Sequence, residues 1–457
     1  MKILKNVIFN KLKFALFLTA FIGIVYNSNG QEANKYRRSS MNMVLVESSA
    51  LGKSRDMVVE AYNSNPFPDK YNKHVTNASS FNVDKMTLTT ADYISSGFYK
   101  DTLTKLLDIL KAAANPLRQI RYLNADSTKA LQEPSENQKL GIYIDKYIRE
   151  NDLAKSMAAT WFNRTPDGKM NWDLIQERGM YSASAEQKDQ ANSVADKTTF
   201  LMDFDLIGNT YTVINYPEFY ENEPVARLIR DMAKQKAMEQ LAGKPEILVK
   251  KSMALIDTVY ERTKVGYTVK CNSFLYKLDW NADIAKKVKD YFFSEGIDAV
   301  KAWDTTSLFK LNFLGKTTVA SIVTFKIGEK RTEKEIIDLQ IRRTMDNALA
   351  KLQKEHVQFR PVSPIATIGP VTAQIGLKEG LEKGDKFEIL EMGWNELGIP
   401  VWKSIGKVSL DKKSPIWDNR QGAEVGVDKE GKPLPAFTKF KGGKKAMPGL
   451  HYLRLTK

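Results

Sequence analysis

The sequence predicts an α+β protein. A mixed α/β body with helices packed on a sheet is followed by a small all-β barrel or sandwich domain at the C-terminal end. Three observations carry this expectation. Strand-like and helix-like stretches alternate through the middle of the chain, which layers helices against a sheet. One long, capped and one-sided helix pattern runs from Thr332 to about His356. From about Ser363 the composition turns to glycine and β-formers between closely spaced turns. A chain of 457 residues is too long for one ordinary domain, and an apolar content of 42% is enough to build a core. The expected division is 1–30 as a signal peptide, 31–170 as a mostly helical region with a leading strand, 171–358 as an α/β domain and 359–457 as the β domain.

The first segment is read from charge and hydropathy. Lys2, Lys5, Lys11 and Lys13 precede the apolar run "FALFLTAFIGIV", twelve residues long, with no acid before Gly30. Twelve residues are short for a bilayer span. A basic start, a short apolar core and small residues at Ser28 and Gly30 form the pattern of an export signal. Cleavage between Gly30 and Gln31 leaves 427 residues with a net charge of +11. The only cysteine is Cys271, so the new N-terminus has no thiol for a lipid anchor, and no internal disulfide forms. The mature chain carries no second long apolar segment and is expected to be soluble or peripheral.

The elements follow in order. Around Met41–Val46, "MNMVLV" alternates in the manner of a strand. Ser54 caps a short helix, "RDMVVEAYNS", which ends at "NPFPDKYNKH" because two prolines exclude helix there. That loop is read as a packed connection anchored by Phe67 and Tyr71, with a binding loop as the alternative. Leu103, Leu106, Leu107 and Leu110 have helical spacing, as does the stretch from Asn137 to Phe162. "YTVINYPEFY" and "YTVKCNSFLY" form an internal echo offset by 56 residues. Each copy has helix-like stretches before and after it, so the two are read as neighbouring strands of one sheet. "LFKLNFLGKTTVASIVTFKIG" is read as two strands folded about Gly315-Lys316. Thr332 and Glu335 make a capping box, and Ile337, Ile341, Met345, Ala348, Leu349 and Leu352 line one helix face. In the last region "EGLEKGDKFEIL", "VWKSIGKVSL" and "GLHYLRLTK" read as turns and short strands. Gly380 and Gly384 are free there to take left-handed angles.

Chemical motifs are few. Asp203 and Asp205 share one face of an extended segment, a pattern that suits either cation binding or two solvated acids. His74, His356 and His451 are isolated, against a dedicated zinc site; the helix dipole accounts for His356. There is no G-x-S-x-G elbow, no phosphate loop and no dinucleotide fingerprint. Cys271 sits in an alternating strand-like run and is read as a buried thiol, an intermolecular bridge or reactive thiol being the alternative. No catalytic residue, cofactor or metal is assigned. The segment 428–449 concentrates Lys439, Lys441, Lys444 and Lys445 beside Phe437 and Phe440. These lysines are the candidate contact for an anionic polymer, and a solvated loop between strands is the alternative.

"NPFPDKYNKH", "LIGNTYTVIN" and "RTKVGYTVKCNSFLYKLDW" resemble an exported protein family of Bacteroidota, and the Gln at the new N-terminus fits that resemblance. The resemblance implies no catalytic residues. "AQIGLKEGLEKGDKFEIL" resembles small β modules of envelope accessory proteins of the curli-secretion and flagellar types. The lipidated cysteine of curli-type pore proteins has no counterpart, which counts against a pore-forming role. The expectation is a non-enzymatic exported envelope protein, periplasmic or at the outer membrane or cell surface, that contacts a protein partner or an anionic envelope polymer. Peripheral membrane contact fits the charge, and nucleic acid is not an expected partner of an exported chain. The rival expectation is an exported hydrolase of glycan or peptide, with carboxylates gathered by the fold.

Overall fold

The computed structural model describes residues 39–74, 76, 79–96, 135–165, 167–171, 174–175, 178, 206–292, 297–323, 331–394, 396, 400–420 and 436–456. Gly30, Gln31, the leucines at 103–110, Asp203 and Asp205 lie outside the described residues. The chain is α+β. A mixed sheet carries helices on both faces, and a closed six-stranded antiparallel barrel follows it.

The sheet runs β2 (Asn72–Lys73), β1 (Ser40–Glu47), β4 (Thr210–Glu221), β5 (Tyr267–Leu278), β6 (Leu311–Ile322). β3 (Ser80–Asn82) pairs further along β1. β1 is parallel to β4, while β5 runs antiparallel to both of its neighbours, β4 and β6. β1 from the expected 31–170 region and β4–β6 from 171–358 share one sheet. The strands from Ser363 onwards form the barrel. The internal echo is the central antiparallel pair, with Tyr211 opposite Lys277 and Tyr220 opposite Thr268.

β1 is buried on both sides, so the alternation seen in its sequence does not divide core from solvent. On one face, Leu45 packs with Val58 and Ala61 of α1 (Arg55–Ser64) and with Ile337 and Ile341 of α9 (Glu333–Glu355). On the other, Val44 and Val46 meet Ile144 and Tyr147 of α3 (Glu136–Glu150) and Met157 of α4 (Leu153–Trp161). A short helix, α2 (Thr90–Ser95), lies before them, and its Asp92 is held well below the usual carboxylate range by hydrogen bonds, first from Lys146. The helix expected over 137–162 is broken because Asp152 takes left-handed angles with φ of 45°. α9 carries the capping box at Thr332 and Glu335. The box contributes about 1 kcal/mol. Each large apolar side chain buried on the helix contributes about 2 kcal/mol. The buried face formed by Ile337, Ile341, Met345, Leu349 and Leu352 therefore decides that this helix forms and where it docks.

Two expectations are corrected locally. Ser54 occupies the N-cap position of α1 but makes no capping bond, because its hydroxyl is taken by Tyr267 and Glu333. The stretch around Gly315 is no hairpin. β6 is one continuous strand with a register shift at Gly315 and Phe313, opposite Leu275 and Tyr276. A bulge of this kind inserts one residue and bends the strand without ending it. Glycine is needed at the bend, since a Cβ on Gly315 would sit 2.4 Å from the His356 ring.

β4 passes directly into α5 (Asn222–Gln240), a turn, and α6 (Glu246–Thr263), which returns to β5. After β5, α7 (Ala282–Phe292) and α8 (Ile297–Thr305) lead to β6. Trp161, Phe162, Trp280, Trp303 and Phe309 fill an aromatic cluster between α4, α7 and α8.

The barrel closes in the order β10 (Pro400–Leu410), β11 (Thr438–Gly442), β8 (Val371–Ala373), β7 (Ser363–Thr367), β12 (His451–Leu455), β9 (Lys386–Trp394). Ile365, Val371, Phe387, Ile389, Phe440 and Leu453 fill it. Its attachment to the body is polar and close. Arg360 donates to the carbonyls of Gln353 and Lys354 on α9, and to Leu455 and Thr456 at the end of the barrel. Gly380 is left-handed, with φ of 74°, and a Cβ there would come within 3.1 Å of Ala350. The proline-bounded loop packs here too: Tyr71 is buried, stacks on Phe359 and donates to its carbonyl at 2.6 Å.

Candidate docking surface

The polar concavities come first, because a hydrolase would need one. A cleft of about 360 Å³ lies between the start of α3, Ser48–Ser49 and the outer ends of β4 and β5. Asp84, Glu136 and Glu218 line it, but each is matched separately. Asp84 accepts from the Ser49 amide, Glu136 pairs with Lys139 at 3.0 Å, and Glu218 pairs with Lys270 at 2.9 Å. The Glu136 side chain is 90% exposed, so it does not point into an enclosed site. Among the described residues no three His, Cys, Asp or Glu side chains are grouped to hold a metal ion.

Carboxyls raised by burial occur elsewhere. Asp145 is raised by burial and accepts from Tyr276 at 3.3 Å. Glu379 is raised by burial in the first turn after β8, where it accepts from the Gly376 amide and Asn419. Glu379 thereby links the Gly376 backbone to Asn419. Of the histidines, His74 donates through Nε2 to the Met157 carbonyl at 2.7 Å, and burial lowers it to about 4. His451 accepts from the Met447 amide. Cys271 is buried 3.6 Å from the Ser273 hydroxyl, and burial pushes its thiol up to about 12. The buried-thiol expectation for Cys271 matches this environment.

The four lysines are not all on a loop. Lys439 and Lys441 stand on the outer face of β11, on either side of the inward Phe440, and Lys444 and Lys445 are exposed in the turn after it. Lys441 pairs with Asp411 at 3.2 Å. The structure thus brings the four to one end of one barrel strand, with one of them already matched by an acid.

The most distinctive surface is the α5–α6 hairpin. Its base is pinned: Asn222 donates to the Val265 carbonyl at 3.2 Å and accepts from Thr268 at 2.7 Å. Along its length the helices are tied by Lys234 to Asp257 at 2.6 Å, by Tyr260 to Glu223 at 2.9 Å, and by the Arg230 guanidinium over the Tyr260 ring. Nineteen residues make an arm about 28 Å long. Only Asn222 and Ala226 of α5 are buried, and no residue of α6 is.

What the arm exposes is apolar. Val225, Leu228, Ile229 and Met232 repeat at spacings of three and four along α5 and are 57–63% exposed. Leu248, Leu255 and Val259 follow α6 in the same way at 46–65%. Tyr220 and Ile322 carry the surface on to the sheet. A groove of about 650 Å³ runs between the helices, lined by Val225, Ile229, Leu255 and Val259, with Tyr220 and Ile322 at its sheet end and Ala226 and Ala233 between. Nine half-exposed side chains of this size present roughly 900 Å² of apolar surface, more than the few hundred Å² that a monomer ordinarily tolerates in one patch. The sequence expectation placed these helices on the sheet. Their stripes have the same period as that of α9, and nothing in the residues of the stripe itself tells a covered one from a bare one. No helix among the described residues is long and apolar enough to cross a membrane. Set against protein-family models and against curated proteins, the sequence matches none of them.

Proposed function

We propose that this protein is a non-enzymatic, exported component of the cell envelope, periplasmic or at the outer membrane or cell surface, whose work is binding or assembly. The observation that carries this is the α5–α6 arm. It is rigidly tied to the sheet, and it spends its length presenting apolar side chains to solvent. Such exposure disfavours an isolated chain and is relieved when a macromolecule covers it. Export is supported by the basic, then apolar, then small-residue pattern of residues 1–30. The lysines at one end of β11 supply a second, electrostatic contact suited to an anionic envelope polymer.

The experiment is retention in the envelope. Tagged wild-type chain, the variant Ile229→Glu/Leu255→Glu, and the variant Lys439→Gln/Lys441→Gln/Lys444→Gln/Lys445→Gln are expressed in the native cell and fractionated. The hairpin variant is expected to lose its co-purifying partner at any ionic strength. The lysine variant is expected to lose only association seen at low salt, because screening weakens exposed charge contacts. Wild-type retention by both variants would refute the two contacts. Hydrolysis of envelope glycan or peptide by the purified chain, abolished by Glu218→Gln, would establish the rival hydrolase instead.

A further inference from the structure

We propose that the occupant of the α5–α6 face is a second copy of this chain, the two hairpins laying their grooves together as a four-helix bundle. The pairing rests on the hairpin being a docking surface and names what covers it.

Shape is the first ground. Val225 and Ile229 on one helix oppose Leu255 and Val259 on the other across a single groove, and Leu228 and Met232 extend the exposed stripe beside it. A helix pair with its apolar stripe on one side is fully covered by two further helices laid against it. A second hairpin brings two helices of the same length and stripe spacing. A two-fold contact of this kind is self-complementary and closes without leaving an open end.

Charge is the second. Residues 222–263 hold eight cationic against six anionic side chains, a net +2. Several of these are matched inside the hairpin, as in Arg227 with Glu223 and Lys234 with Asp257. Two copies therefore meet with a small net charge each, and a few exposed charges repel only weakly once screened. An anionic polymer or an acidic lipid headgroup finds little net charge to hold at the same place.

Area is the third. Roughly 900 Å² of exposed apolar surface is available on each copy, and a stable interface buries about 800 Å² per partner. The pinned base and the ion pairs between the helices hold the arm before contact, so little side-chain and backbone freedom is left to lose.

Sedimentation velocity tests this on the purified chain. At about 10 µM the wild type is expected to run at twice the monomer mass, as an interface with Kd near 1 µM would. Ile229→Glu/Leu255→Glu and Ile229→Lys/Leu255→Lys are each expected to run as monomers. Both positions are more than half exposed, so their thermal midpoints should stay close to that of the wild type. Mixing the Glu and Lys variants is expected to restore the dimer mass, since every introduced acid then faces a base. A wild type that stays monomeric at about 100 µM, a Glu variant that stays dimeric, or a mixture that fails to recover would each overturn the pairing. A monomeric wild type that still holds an envelope partner through Ile229 and Leu255 would overturn self-pairing alone. Loss of that retention as well would remove the docking surface itself.

Discussion

His74 ties the proline-bounded loop to α4, and its burial makes stability depend on pH in a calculable way. The ring is 3% exposed, lies 5.6 Å from the Trp161 ring, and holds its Nε2 at 2.7 Å from the Met157 carbonyl. Burial lowers its titration from 6.5 to about 4; the bond to Met157 opposes this, and the nearby Arg178 adds to it. The unfolded chain therefore binds a proton in the window between 6.5 and 4 that the folded chain refuses. Stability contributed by the neutral ring is complete above 6.5 and is lost as pH falls towards 4. At 1.36 kcal/mol per pH unit the loss is about 1.4 kcal/mol at pH 5.5 and about 3 kcal/mol at pH 4. The perturbation is His74→Gln, which keeps a donor for the Met157 carbonyl and does not titrate. Urea unfolding of both proteins at a series of pH values gives two stability curves whose difference cancels every other titrating group. The gap between them is expected to shrink or reverse by about 3 kcal/mol from pH 7 to pH 4. Parallel curves across that window would refute the linkage between burial of this ring and acid sensitivity.

Two further outcomes follow from packing. Gly315→Ala drives a methyl group to within 2.4 Å of the His356 ring and is expected to cost about 1–3 kcal/mol in denaturant melts. Adding His356→Ala should return most of that loss, and strictly additive effects would show that the ring is not the obstacle. The Cys271 thiol, pushed up to about 12 by burial, should react with a maleimide at pH 8 at least ~100-fold more slowly in the folded chain than in urea. Rapid labelling of the folded protein would mean that the central sheet opens far more often than its burial implies.

Features whose causes lie within a few residues of one another can be read directly from the residues. Thr332 and Glu335 announce the start of α9, and Ile337, Ile341 and Met345 announce its buried side. Cap and stripe are both local geometry. The turns at Gly380 and Gly384 and the short strands around them likewise marked a β module, because φ > 0 is a property of single residues. The remaining features depend on contacts between segments distant in sequence. β1 enters the sheet beside β4, far away in sequence, through backbone hydrogen bonds that carry no residue signature. Gly315 reads as a turn until His356, from the end of another helix, is seen to occupy the space that a side chain would need. The stripe of Val225, Leu228, Ile229 and Met232 has the same period as that of α9, yet one is bare and the other buried. Periodicity states that a helix has an apolar side; whether another element covers it is decided by where the α5–α6 hairpin leaves the joined ends of β4 and β5.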